Sequence, residues 1–239
     1  IGLIHNLTTT EVSMAAATVT ISDSANKAKM DTVNGYTTGT VTATTLVEDY
    51  ADIVTIQGTT GLSVAATNIT ITDSVDKTKV DTVNGYTTGT VTVNTIADGV
   101  ADLATVAGYS NSAVTIQAAA ITVTDAATKA NADTINAYTT GQVTLNTVED
   151  TMANITLIDA MTTSEVSMAA AAITATDAAT KANADTLNGY TTGQVTLNTV
   201  SDSYANIVLI DGLTTTEVSM AAAAITATDA AVSYTHLTL

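Results

Sequence analysis

The sequence predicts a repeat solenoid, a right-handed parallel β-solenoid with short helices at the coil corners, whose 52-residue period holds two coils of about 26 residues. Three observations predict it. DAATKANADTLNGYTTGQVTLNTV, from Asp177 to Val200, repeats from Asp125 to Val148 with changes only at Ile135/Leu187 and Ala137/Gly189. The starting aspartates Asp23, Asp73, Asp125, Asp177 and Asp229 are spaced 50, 52, 52 and 52 residues apart. Each half-period carries one segment of helical and one of strand character, and a strand, helix, parallel strand sequence crosses over right-handedly. Strands repeat every 4.7–4.9 Å while helices pack about 8–10 Å apart, so full helices on one side favour the alternative, a leucine-rich-repeat-like curved α/β solenoid. The alanine-rich helix faces reduce that mismatch.

In the first half-period, Ala127, Ala130, Ile135 and Tyr138 form one helical stripe, matched by Ala25, Ala28, Val33 and Tyr36 in the first copy. Asp23, Asp73, Asp125 and Asp177 precede these segments and read as N-caps. Gly35, Gly85 and Gly189 fall where a helix end takes a left-handed residue, with Ala137 breaking the pattern. Thr-Thr-Gly then leads into the strands VTATT, VTVNT, VTLNT and VTLNT. Alternation puts Val143 and Leu145 inside and Thr144 and Asn146 outside, with Thr44, Asn94, Asn146 and Asn198 stacked outward.

The second half-period is ambiguous by periodicity. ANITLIDAM has the β-branched content of a strand but also a helical stripe, Met152, Ile155, Ile158 and Met161; the acid before it and the TTSE turn after it favour a short helix. VSMAAAAITATD then reads as a long or bent strand whose alanines allow close backbone approach or a tight corner.

Residues 1–231 thus form one continuous solenoid with units starting near 23, 73, 125, 177 and 229. IGLIHNLTTTEVSMAAA, at the start, aligns with IVLIDGLTTTEVSMAAA from Ile207, so the sequence is expected to enter a longer array within a unit. After Ala231 the repeat gives way to VSYTHLTL, residues 232–239. That octapeptide resembles the translated sequencing-adapter remnant that ends many metagenomic reading frames, which makes it a non-native tail in which Tyr234 and His236 carry no function.

Composition narrows the function. Six lysines and no arginine stand against 23 acids, for a net charge of −17. Nucleic acid and anionic lipid, held chiefly by Lys and Arg, are excluded as partners, and counter-cations are favoured. No apolar run approaches the ~20 residues of a membrane helix, so membrane insertion is not expected. The chain has no Cys, and His5 occupies the repeat position of Asp159 and Asp211. No Ser-His-Asp set or phosphate loop occurs, and acids recur in every copy rather than once, so the chain reads as no enzyme and as carrying no cofactor.

The acids Asp31, Asp81, Asp133 and Asp185 each follow a lysine by four residues: Lys27, Lys77, Lys129 and Lys181. The plain reading is a solvated helix face with weak pairs; the alternative is a column of carboxylates gathering Ca²⁺. Thr70/Thr72, Thr90/Thr92, Thr122/Thr124, Thr174/Thr176 and Thr226/Thr228 form Thr-x-Thr runs that read as a polar strand face, with an ice- or glycan-binding surface as the alternative. Tyr36, Tyr86, Tyr138 and Tyr190 are expected at one helix end, turned inward as a spine.

The VTVTD…ANI…TTGxVTL pattern resembles the long tandem-repeat exoproteins of environmental bacteria, the haemolysin-like and adhesin-like group. The resemblance covers residues 1–231 and implies an extracellular or cell-surface location and a structural role, as an acidic spacer in a surface layer or adhesin stalk. The calcium-binding nonapeptide of such exoproteins is absent, since no Gly-Gly pair occurs. Uncovered solenoid edges imply end-to-end self-association, and a protein or glycan partner stays undefined at this stage.

Overall fold

The computed structural model describes residues 2, 13–110, 113–161, 165–213 and 217–229. It shows a parallel α/β repeat in which each long strand is followed by a helix and then by a further parallel strand. The chain divides into two units, residues 1–122 with 137–142, and residues 123–136 with 143–239.

In the first unit the order is β1 (Val19–Ala25), α1 (Lys27–Asn34), β2 (Val41–Glu48), α2 (Tyr50–Gly58), β3 (Leu62–Ser63), β4 (Asn68–Val75), α3 (Lys77–Asn84), β5 (Val91–Asp98), α4 (Val100–Ala107) and β6 (Val114–Thr115). Strands pair in the order β1–β2–β4–β5, with β3 also on β2 and β6 on β5, all parallel. Strand β7 (Ala120–Ala127) gives residues 120–122 to this unit and 123–127 to the other.

The second unit continues with α5 (Lys129–Asn136), β8 (Val143–Asp150), α6 (Met152–Asp159), β9 (Val166–Ser167), β10 (Ala172–Ala179), α7 (Lys181–Tyr190), β11 (Val195–Asp202), α8 (Tyr204–Asp211), β12 (Val218–Ser219) and β13 (Ala224–Ala227). Its strands pair β8–β10–β11–β12, with β9 on β8 and β13 on β11, again parallel. No helix among the described residues is long and apolar enough to cross a membrane.

Alternation along the strands makes the core. Val143, Leu145 and Val148 are buried while Asn146 is exposed, and Thr44, Asn94 and Asn198 are exposed at the matching places. Most of the two-turn helices bury one pair of side chains three residues apart, neighbours on a single face. Met30/Val33, Ile53/Ile56, Val80/Val83, Leu103/Val106, Ala132/Ile135, Ile155/Ile158 and Ala184/Leu187 are those pairs. The second-half segments are therefore helices, with Ile155 and Ile158 inside as the sequence suggests.

Four expectations need correction. The helices start three residues later than read, at Lys27, Lys77, Lys129 and Lys181, because Ala25 and Ala127 still belong to strands. Ala28 and Ala130 are consequently exposed, and the inward stripe passes through Met30 and Ala132 instead. Gly35 and Gly85 take ordinary right-handed values, φ −66° and −70°, and Gly189 lies within α7, so Ala137 breaks no rule. VSMAAAAITATD is two strands, β12 and β13, separated by a turn at residues 221–222; the alanines make the tight corner. Tyr36, Tyr86, Tyr138 and Tyr190 are half-buried rather than inward.

The Thr-Thr-Gly signature clamps that corner. The hydroxyls of Thr37, Thr87, Thr139 and Thr191 donate to the carbonyls of Ala17, Thr67, Ala119 and Ala171 at 2.6–2.7 Å. They accept from the backbone N–H of Gly39, Gly89, Gly141 and Gly193 at 2.8–2.9 Å. A side chain on any of these glycines would collide with the same carbonyl, so close approach, not unusual φ, fixes the glycine. The second threonine of each motif donates its backbone N–H to the carbonyl two residues upstream of that one, as Thr88 does to Ala65 at 2.9 Å.

Two comparisons check this packing by thermal and urea melts. Leu197→Asp, at a 1%-exposed site, is expected to cost about 4 kcal/mol or more by burying an unpaired charge, whereas Thr196→Asp on the outer face costs less than about 1 kcal/mol. Gly193→Ala is expected to destabilise by about 1–3 kcal/mol through the Ala171 carbonyl, while Gly189→Ala, with open space around it, is neutral or stabilises by up to about 1 kcal/mol. Equal outcomes within either pair would overturn the assigned packing.

Candidate functional site

The repeated aspartates do cap helices, but not the ones that follow them. The first-half helices are capped locally: Asn26 accepts from Lys29 N–H, Asp76 from Lys79 N–H, and Thr180 from Asn183 N–H. Thr128 likewise accepts from Asn131 N–H, at 3.2 Å. Asp73 and Asp177 instead reach back to the preceding coil, accepting the first helical N–H of Tyr50 on α2 and Met152 on α6 at 2.8 Å. Asp229 does the same for Tyr204 on α8 at 2.7 Å. Asp23 meets Lys29 across 3.4 Å, with both side chains exposed. Asp125 lies in β7 and caps no following helix, since α5 begins after Thr128.

The other half-period uses the same device. Glu48, Asp98, Asp150 and Asp202 end their strands and accept the N–H of Lys27, Lys77, Lys129 and Lys181, the first residues of the preceding helices, each at 2.8 Å. A strand-end carboxylate thus binds the positive end of the neighbouring coil's helix, where unpaired amides and the helix dipole both favour an anion. Asp23, Asp73 and Asp177 gain their aim from β-bulges: register shifts between Ile21 and Ser24, Ile71 and Ser74, and Ala175 and Ala178 insert one extra residue opposite a regular partner strand.

The electrostatics follow. Burial pushes Asp150 up, but the backbone N–H of Lys129, the side chain of Asn154 and the backbone N–H of Thr151 outweigh it and hold the carboxyl below its usual range. The Lys181 backbone N–H, with Asn206 and Ser203, holds Asp202 down in the same way. Desolvation raises Asp159.

The metal candidates are placed singly. Asp31, Asp81, Asp133 and Asp185 each pair in-helix with Lys27, Lys77, Lys129 and Lys181, and these lysines are the partners the sequence assigns. Pairs of this kind face solvent, which screens them, so they contribute little to stability. Asp81 also accepts from the Tyr109 hydroxyl; desolvation opposes, but Lys77 and Tyr109 keep it low, while Asp81 raises Tyr109. The structure brings together a different trio, Glu48, Asp49 and Asp52, whose ligand oxygens lie within 4.8 Å of one another. The acid run E-D-x-x-D around the β2–α2 junction is the signal for it. Glu48 already serves Lys27 and Asp49 N–H groups, and Asp49 serves Asp52 N–H.

A cavity of about 780 Å³ beside β1 is lined by Thr20, Asp23, Asn26, Lys29 and Tyr36 among others. On the outer face Thr20 and Thr42 hydroxyls meet at 3.1 Å, and Thr70 stands beside Thr92 and Thr174 beside Thr196 in register. His5, Tyr234 and His236 lie outside the described residues.

The depressed acids make a pH prediction. Their folded values lie below the unfolded one, so the stability they contribute is present above about pH 4 and is lost as pH falls through the folded values. Asp150→Asn and Asp202→Asn are therefore expected to lower the urea midpoint at pH 7, with the gap to the parent chain closing toward about pH 2. Self-repulsion in parent and variant differs by one charge of the net −17, so its relief at low pH largely cancels in that difference. A gap constant with pH would show that these carboxylates are not coupled to folding.

No protein-family model, no curated protein and no solved structure matches the chain.

Proposed function

We propose that the chain is a non-catalytic structural spacer, part of a large acidic extracellular bacterial repeat protein that forms a stalk or surface layer. The observation that carries this reading is the use made of the polar side chains. Strand-end acids hold neighbouring helices, Thr-Thr-Gly clamps neighbouring corners, and the helix acids pair with lysines one turn away. Each recurs at a fixed repeat position, whereas catalysis needs a singular constellation. The acidic surface suits a hydrated, cation-screened exterior and disfavours polyanionic partners. The resemblance of the repeats to bacterial exoproteins supports the cell-surface setting.

The calcium alternative supplies the test. Thermal melts at constant ionic strength are expected to rise equally with Ca²⁺ and Mg²⁺, because diffuse screening responds to charge rather than to a cage of six to eight oxygens. A Ca²⁺-specific rise would replace the spacer reading with a calcium-stabilised binding module.

A further inference from the structure

The second-half helices begin with the same joint but not the same donor. At the third position of α6, Asn154 donates its Nδ2–H to Asp150 at 2.8 Å, so Asp150 is tied both to Lys129 on the preceding helix and to the helix it precedes. Asn206 of α8 repeats the bond to Asp202 at 2.9 Å. The equivalent residues of α2 and α4 are Asp52 and Asp102. An ionised carboxylate only accepts hydrogen bonds, so Asp52 cannot tie down Glu48 as Asn154 ties down Asp150. It instead adds a like charge beside Glu48 and Asp49. Lys27 is within electrostatic reach of Glu48 and Asp52, but its ammonium hydrogen bond goes to Asp31. At α4 the N-cap is Gly99, which supplies no side-chain cap, whereas α6 has Thr151 and its hydroxyl bond to Asn154 N–H.

We propose that α2 and α4 are release points of the array, helices that open from their neighbours more readily than α6, with the Asp-for-Asn exchange at the third helical position setting the difference. The helix dipole's preference for Asp in the first turn offsets part of the loss, but it acts on one charge and does not replace the bond that Asn154 donates to Asp150. Opening of this kind is local, so it is read by amide exchange rather than by the global melt.

The test is hydrogen exchange of the full chain, resolved to each helix, in the parent, in Asp52→Asn/Asp102→Asn and in Asn154→Asp. Amides of α2 and α4 are expected to exchange about threefold or more faster than those of α6, the scale of one modest hydrogen bond. Asp52→Asn/Asp102→Asn should slow α2 and α4, Asn154→Asp should speed α6, and raising salt should narrow the α2–α6 gap by screening. Equal exchange of α2, α4 and α6 in the parent, or no response of α2 and α4 to the Asn exchanges, would overturn the proposal. The asparagine variants remove charge and add a donor, so they keep the test open should Asn154→Asp fail to fold.

Discussion

A carboxylate at the end of one strand, bonded to the first amide of the helix in the coil before it, is the contact on which the rest depends. A helix of eight residues has too few internal hydrogen bonds to stand alone in water. Here its exposed amide end is satisfied from outside, at 2.7–2.8 Å in each described case. The same bond fixes the spacing between coils. Neither the helix nor the strand order would be defined as well by the small aliphatic core, which contains no Phe or Trp.

The clamp at the other end of the coil works by exclusion. Threonine hydroxyls reach a carbonyl that only a glycine lets come close, and the alanine corner supplies that carbonyl. Helix starts are therefore held by charge, and the corners after the first-half helices by close backbone approach, with an aliphatic layer between them. Among the described residues no buried side-chain nitrogen or oxygen lacks a hydrogen-bond partner, which is what allows so polar a sequence to repeat at short period.

Much of this was legible in the sequence. The period, the strand faces at Val143 and Leu145 and the Lys–Asp pairs follow from spacing, and the helical nature of ANITLIDAM from the acid before it and the turn after it. The cap assignments did not, because an aspartate at a strand–helix boundary looks the same whether it serves the helix after it or one about 25 residues earlier. Asp177 and Met152 are 25 positions apart in sequence, and only the bulge at Ala175–Ala178 brings them together. The glycines misled for a related reason: Gly35 resembles a helix terminator, but Gly39, four residues on, is the one that space demands. The Glu48–Asp49–Asp52 trio was visible as a run of acids, yet its departure from the Asn154 arrangement needed the bond geometry.

Because each joint takes its acceptor from one coil and its donor from the coil before, a copied period brings one complete set of both. Inserting or removing such a period leaves each remaining carboxylate facing an amide like the one it faced before. The contact is thus indifferent to copy number. Slippage or recombination between near-identical stretches such as 125–148 and 177–200 can change the length of the array while keeping every junction intact, so length becomes a heritable variable separate from foldability.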